Sequence, residues 1–124
     1  MKKTVIIFIA CILFGCKDEL DRATHVKYEV TTTNGKWFGE YITKTGEKIC
    51  TCHDVDHLKP SGWTHEFDVT QRPFTLHIDA TTEHDFGSPG APDVITKIFV
   101  DDELVARDSS GWAPGVSSVD FIIK

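Results

Sequence analysis

The sequence predicts an all-β domain, an antiparallel β-sandwich of about seven or eight strands, and three observations predict it. Apolar and polar residues alternate with a period of two from Val26 onward, which is typical of strands with one buried face. Turn residues recur roughly every 8 to 12 residues. No stretch after residue 15 has the period of about 3.6 residues that a helix needs. The sandwich is expected to be immunoglobulin-like in the loose sense, and a small closed barrel is the alternative.

The first predicted strand begins at Val26, where apolar residues alternate with polar ones. Asn34-Gly35 follows, and because both residues tolerate positive φ, the pair predicts a two-residue hairpin turn. We therefore expect residues 37–43 to return as a strand beside the first one. A third, more polar strand is predicted over residues 47–55.

Five further strands are predicted in the second half of the chain. They cover residues 63–69, 74–80, 94–100, 104–107 and 116–123. In the first of them, His65 shares a face with apolar residues, so it is expected at the edge of the core. The run from Val94 to Val100 is continuously rich in β-branched residues, which indicates a strand that is central in its sheet or buried on both faces.

The N-terminus reads as a cleaved secretory signal. Lys2 and Lys3 form a basic start, residues 5–15 are almost wholly apolar, and a charged Lys17 follows closely. This layout is that of a signal peptide. The apolar run is too short for a membrane-spanning helix, which needs roughly 20 residues.

The end of this signal, Leu13-Phe14-Gly15-Cys16, resembles the lipobox of bacterial lipoproteins. The resemblance implies that Cys16 carries palmitate-like acyl chains and becomes the new N-terminus, which anchors the protein to a membrane of the bacterial cell envelope. The acidic Lys17-Asp18-Glu19 resembles the surface-export signal of Bacteroidetes lipoproteins, so the outer membrane or the cell surface is the expected location. An ordinary secretory signal with an incidental cysteine is the alternative.

The chain then divides into the signal peptide 1–15, the lipidated cysteine with a short tether 16–24, and the β-sandwich domain 25–124. The tether can extend no further than about 30 Å. The formal net charge is −6 at pH 7 and the sequence has no basic run, which argues against nucleic acid as a partner.

One group of residues combines thiols and imidazoles, the ligands that zinc and copper prefer: Cys50, Cys52, His53 and His57. A regular strand would point the two cysteines to one face and the histidines to the other, which opposes a four-ligand metal site. The cysteines could instead form a disulfide or stay as free thiols. Residues two apart on a strand have Cα atoms about 6.6 Å apart, so a bridge needs local distortion. No other cofactor is expected.

Trp112 is the residue that most suggests binding, because it stands among glycine and proline residues where a loop is predicted. Together with the loop 86–93, which contains Phe86, it predicts a site for a small ligand or a glycan. The alternative is that Trp112 plugs one end of the sandwich. His77 and Asp79 are predicted as solvated surface, and a second polar patch with His84 and Asp85 is the alternative. No motif assigns a nucleophile and a base, so a non-catalytic protein is expected.

The segment 98–111 resembles a known family. It reads Ile98-Phe99-Val100-Asp101-Asp102-Glu103-Leu104-Val105, then Asp108-Ser109-Ser110-Gly111. This is similar to a segment of MmpS-like proteins, the small accessory partners of mycobacterial lipid exporters, and residues 26–30 and 37–46 agree with the family's first strands. Asp102 replaces a turn glycine. The resemblance implies an accessory or adaptor role, with a transporter or another envelope protein as partner.

Overall fold

A computed structural model describes residues 22–33, 35–54, 56–82, 93–110 and 115–124, which fold into two antiparallel β-sheets. The nine strands of this part of the chain are β1 (Thr24–Thr32), β2 (Trp37–Phe38), β3 (Glu40–Ile42), β4 (Lys48–Cys50), β5 (Trp63–Val69), β6 (Phe74–Thr82), β7 (Val94–Val100), β8 (Glu103–Ser110) and β9 (Val116–Ile123). The predicted all-β, antiparallel sandwich is confirmed. The signal peptide 1–15 and Cys16 lie outside the described residues. Within the described ranges, no helix is both long enough and apolar enough to cross a membrane.

The first sheet has the strand order β5-β1-β7-β8. In the second sheet β6 is central: it pairs with β9 along one side and with β2 and β3 along the other, and β4 lies beyond β3. The alternating apolar residues of both sheets point inward and form the core. Its members are Val26, Tyr28, Val30, Trp37, Phe67, Val69, Phe74, Leu76, Ile78, Ala80, Val94, Ile98, Val119 and Ile123.

The start of β1 and the last residue of the chain meet at one end of the sandwich. The guanidinium of Arg72 donates hydrogen bonds to Thr24 Oγ1 at 2.6 Å and to the carbonyl oxygen of Lys124 at 2.9 Å. Because Thr24 is buried, this bridge fixes the start of β1 and Lys124 to the same end of the domain.

The hairpin predicted after β1 is wrong. β1 pairs with β5 and β7 along its two sides, and β2 pairs with β6 in the other sheet. The chain after Thr32 therefore crosses between the sheets. Trp37 secures the crossing: its side chain is fully buried, and its backbone N–H donates to the Lys59 carbonyl at 2.9 Å. The turn residues favoured a chain reversal, but burial of the indole decided which strand becomes the neighbour.

The predicted strand 37–43 is divided into β2 and β3 at Gly39. The N–H of Gly39 donates to Thr51 Oγ1 at 3.0 Å, and the N–H of Glu40 donates to the Asp79 carboxylate at 2.9 Å. Side chains thus replace backbone acceptors at two consecutive positions, which interrupts the ladder without changing its register.

β7 lies between β1 and β8, so the prediction of a central strand is confirmed. Only its inward face is fully buried, through Val94, Thr96 and Ile98. On the outer face Lys97 Nζ lies 2.9 Å from Glu29 Oε1 of β1. The strand ends at Asp101 and Asp102, which have φ of 48° and 65° and so adopt the left-handed conformation that aspartate tolerates in turns.

The two sides of the sandwich differ. On one side β7 and β8 are tied to β9, because Thr96 Oγ1 lies 2.6 Å from Ser117 Oγ and the Ser118 N–H donates to the Asp108 carboxylate at 3.0 Å. On the other side, β5 ends the first sheet and β4 ends the second. No described strand bridges the gap between them, and we call this the open side.

Candidate functional site

The open side contains a half-open groove with a volume of about 500 Å³. It is lined by Thr43, Lys44, His65, Glu66, Phe67 and Asp68. The last four are consecutive residues of the edge strand β5, and the first two belong to the turn between β3 and β4. The volume falls within the range of roughly 300–1,000 Å³ that is typical of ligand pockets.

An aromatic cluster from both sheets packs beneath this groove. Trp63, His65 and Phe67 point inward from β5 and meet Tyr28 of β1 and Tyr41 of β3. The ring centroids of Tyr41 lie 5.0 Å from His65 and 5.3 Å from Trp63, and Tyr28 lies 5.5 Å from Phe67. The predicted place of His65 at the core edge agrees with this packing. The cluster holds the two sheets together on the open side.

The titratable members of the cluster favour their neutral forms. Burial lowers the pKa of His65 and raises the pKa of both Tyr28 and Tyr41. The Tyr28 hydroxyl donates a hydrogen bond to the Ile42 carbonyl at 2.9 Å, which satisfies its polar end. The inner wall of the groove is therefore an uncharged, mainly aromatic surface near neutral pH.

The outer rim of the groove is acidic. The side chains of Glu66 and Asp68 are 54% and 66% exposed. His25 of β1 lies between them, with Nδ1 2.9 Å from Asp68 Oδ1 and Nε2 3.7 Å from Glu66 Oε2. The hydrogen bond to Asp68 raises the pKa of His25. Its backbone N–H donates to the Asp101 carboxylate at 3.0 Å, which fixes the start of β1 to the turn after β7 on the side away from the groove.

Cys50 and Cys52 form a disulfide whose Cα atoms are 5.2 Å apart. The strand predicted over 47–55 ends at Cys50, where a single 3₁₀ turn, Thr51–His53, begins. This turn shortens the distance that an extended strand would impose and so supplies the distortion that a bridge needs. The prediction of a strand beyond Cys50 is wrong.

The disulfide closes a turn that braces the second sheet. Thr51, the residue between the cysteines, is buried, and its N–H donates to the Gly39 carbonyl at 2.9 Å. Its hydroxyl accepts the N–H of Gly39. Both backbone groups of Gly39 therefore depend on the residue that the disulfide encloses.

The four-ligand metal hypothesis applies only to the reduced protein. Sulfurs joined in a disulfide offer no thiolate to a metal. His53 and His57 are exposed, and among the residues that the structure describes, no three His, Cys, Asp or Glu side chains are grouped to hold a metal.

Trp112 and Phe86, the predicted ligand-binding residues, lie outside the described residues, as does the lipidation residue Cys16. The described residues beside the two segments that carry Phe86 and Trp112 show where these segments attach to the sandwich. The Thr82 N–H donates to the Gly115 carbonyl at 2.9 Å, and the Gly115 N–H donates to Thr82 Oγ1 at 3.1 Å. The segment that follows β6 and the one that precedes β9 therefore attach to the sandwich at adjacent points.

His77 and Asp79, predicted as solvated surface, are part of a hydrogen-bonded chain on the outer face of the second sheet. Nδ1 of His77 lies 2.6 Å from Asp120 Oδ1 of β9, and Nε2 lies 3.3 Å from Asp79 Oδ2. The other Asp79 oxygen accepts the N–H of Glu40. This chain links β9, β6 and β3.

The sequence did not point to the groove. The sequence does contain a signal for the groove, because β5 alternates aromatic residues with Glu66 and Asp68. The same kind of alternation is found in any half-buried strand, however, so it does not single out β5. Only the strand order makes β5 an edge and turns the alternation into one wall of a groove. A scan of protein-family models and a search of curated proteins both return no match for this chain.

Proposed function

We propose that this chain is a lipid-anchored, non-catalytic protein of the bacterial cell envelope that acts as an accessory or adaptor by binding a protein partner close to the membrane. The observation that carries the proposal is the short distance along the chain from Cys16 to the first residue of β1, Thr24. A tether of this length reaches at most about 30 Å. A domain held so close to a bilayer meets mainly the proteins embedded in or attached to it.

Two features support the adaptor role. The first is the segment covering the end of β7, the Asp101-Asp102 turn and β8, which resembles a segment of MmpS-like proteins, accessory partners of membrane transporters. The second is the open side of the sandwich, where an edge strand and a groove are accessible. A rigid sandwich with one open edge suits recognition of another protein better than a fully closed one.

Lipidation is tested by metabolic labelling with palmitate. We expect the wild type to incorporate the label and to fractionate with membranes, and Cys16→Ala to lose both properties. Cys11→Ala is the matched control, since this cysteine lies in the same signal but before the lipobox, and it should keep the label. Secretion of unlabelled wild-type protein into the soluble fraction would show that the signal is an ordinary one.

The partner is tested by chemical crosslinking in intact cells, followed by purification of the protein from membranes. We expect one envelope protein, such as a transporter subunit, to be crosslinked reproducibly, and to be lost with Cys16→Ala because the domain leaves the membrane. If the wild type yields no crosslinked protein at saturating crosslinker, the adaptor role is contradicted.

A second candidate is a small-ligand or glycan-binding module that uses Trp112 and Phe86. It is favoured by the hydrogen bonds between Thr82 and Gly115, which bring the attachment points of the two segments together. A glycan array probed with the purified protein tests it: binding should be abolished by Trp112→Ala with unchanged thermal unfolding. Binding that survives this substitution would exclude Trp112 from the site.

A further inference from the structure

The edge strand β5 is hydrogen-bonded along one side only within the described part of the chain. It pairs with β1 over its whole length, Trp63–Val69, and no described strand pairs with its other side. An exposed edge presents unpaired N–H and C=O groups, which can accept an additional strand from another chain. The opposite edge of the same sheet, β8, is instead tied to β9 through Asp108 and Ser118.

The groove follows this free edge. Four consecutive β5 residues line it, and because successive side chains on a strand point to opposite faces, the set includes both faces of the strand. A groove lined in this way lies along the backbone edge itself and not on one face of the sheet. Thr43 and Lys44 form the facing wall, so the space is bounded on two sides.

The chemistry of the two faces specifies what could fill the groove. A strand added to β5 would place alternate side chains beside the inward face, where His65 and Phe67 offer an uncharged aromatic surface. The intervening side chains would lie on the outer face, beside the exposed carboxylates of Glu66 and Asp68. Opposite charges on neighbouring strands stabilise pairing and like charges oppose it. The complementary segment therefore alternates apolar and basic residues.

Two other occupants fit less well. A second copy of this chain paired edge to edge through β5 would bring Glu66 and Asp68 of one copy near the same carboxylates of the other, which is destabilising. A glycan needs exposed aromatic ring faces on which to stack. The aromatic residues among those that line the groove are His65 and Phe67, and Phe67 is buried, whereas consecutive strand residues are what backbone pairing requires.

We propose that the groove along β5 is the docking site for an extended segment of a partner protein, with alternating basic and apolar residues, that binds by adding a strand to the edge of the first sheet. This deepens the adaptor function proposed above and rests on it for its biological meaning. The interaction itself requires neither the lipid nor the membrane, so it can be tested separately.

The test uses the purified full-length chain in neutral detergent and an acetylated, amidated peptide of sequence KVKFKVK. We expect saturable binding by fluorescence anisotropy, and slower amide hydrogen exchange at residues 63–69 when the peptide is bound. The peptide EVEFEVE tests charge complementarity and should bind at least about tenfold more weakly, because its carboxylates would face Glu66 and Asp68. Two KVKFKVK peptides, N-methylated at the odd or at the even residues, test backbone pairing: because successive N–H groups of a strand point to opposite sides, one of the two should not bind.

Protein variants locate the site. Glu66→Lys combined with Asp68→Lys should weaken KVKFKVK binding at least about tenfold, and Glu103→Lys, a charge reversal at an exposed position of β8, should leave it unchanged. The proposal is overturned if the double reversal binds as tightly as the wild type, if both N-methylated peptides bind as tightly as the unmethylated one, or if the exchange protection falls outside β5. Binding of a glycan in the groove in place of the peptide would overturn it as well.

The outcome can be separated from that of the proposed function. A protein that is lipidated and crosslinked to a partner, yet does not bind the peptide, overturns the groove assignment alone. A protein that binds the peptide at β5 but carries no lipid and yields no crosslinked partner supports the groove and contradicts the membrane adaptor.

Discussion

Gly39 lies directly against the backbone carbonyl of Asp79, with no space between them for a Cβ atom. This contact occurs where β2 becomes β3, next to the hydrogen bond from the Glu40 N–H to the Asp79 carboxylate. The residue is therefore required for its size, because its φ is not in the positive range. Because the two backbones approach so closely, the Asp79 carboxylate can accept the hydrogen bond from the Glu40 N–H.

We expect Gly39→Ala to destabilise the protein by about 2–3 kcal/mol, as overpacking against backbone does. Urea denaturation followed by tryptophan fluorescence measures this change. Gly46→Ala is the matched control: Gly46 has φ of 79° and open space around it, so its substitution should cost only about 1 kcal/mol of conformational strain. Equal losses for the two variants would contradict the steric role of Gly39.

Thr96 and Ser117 form a fully buried hydrogen bond between the two sheets. We expect Thr96→Val to lower the free energy of unfolding by about 1–3 kcal/mol, since it leaves the Ser117 hydroxyl buried without a partner. The double variant Thr96→Val with Ser117→Ala should recover part of this loss, because neither buried position then carries an unpaired polar group. A double-mutant cycle in urea measures the coupling, and strict additivity would argue against the bond.

The pKa of His25 should lie above the ordinary histidine value of 6.5, and the pKa of His65 should lie below it. The hydrogen bond to Asp68 raises the pKa of His25, and burial lowers the pKa of His65. Protonated His25 therefore stabilises the folded state below pH 6.5, and this contribution is lost as pH rises through its raised pKa. Burial of His65 destabilises the folded state as pH falls below 6.5, because the unfolded chain protonates this histidine more readily. NMR titration of the two imidazoles checks the order.

The variant Asp68→Asn separates the two histidines. It should lower the pKa of His25, since the largest cause of the shift is removed, and leave that of His65 unchanged. If His25 titrates below His65 in the wild type, the assigned contacts are wrong.

The disulfide is expected to contribute about 1–2 kcal/mol of stability, because the loop that it closes is very short. Replacing both cysteines with serine should produce this loss and also speed amide exchange at Gly39 and Thr51, whose hydrogen bonds depend on the 3₁₀ turn. Mass spectrometry with alkylation in the absence of reductant provides the direct check. Full alkylation of Cys50 and Cys52 in freshly purified protein would show that the bridge is not formed.

Sequence patterns predicted the strands well because each is a local property. The alternation around Val26 and Phe67 depends only on which face is buried, and the β-branched run at 94–100 correctly indicated a central strand. Pairing is not local. Asn34-Gly35 favours a chain reversal whichever strand lies beside it. The strand that begins at Trp37 nevertheless pairs in the other sheet, because Trp37 is buried there.

The candidate site was less accessible to prediction for the same reason. The bend at Cys50 depends on Thr51 reaching Gly39 across the sheet, which no spacing reveals. The groove depends on β5 being an edge and on the position of the turn at Thr43, both of which follow from strand order. Trp112, Phe86 and Cys16 stay predictions.

The bridge from Arg72 to Thr24 and Lys124 has a practical consequence for protein engineering. Thr24 and Lys124 lie at one pole of the sandwich, so, with Cys16 lipidated as proposed, a reporter fused after Lys124 would stand beside the tether and crowd the bilayer surface. Because Thr24 and Lys124 lie at the same pole, a short linker could join them, and new termini could be opened at the opposite pole in the exposed loop 60–62, whose Gly62 N–H donates to the Val30 carbonyl. With the proposed lipidated tether moved to the new N-terminus, such a permuted chain would be anchored at its opposite pole, and the orientation of the domain relative to the membrane would be inverted.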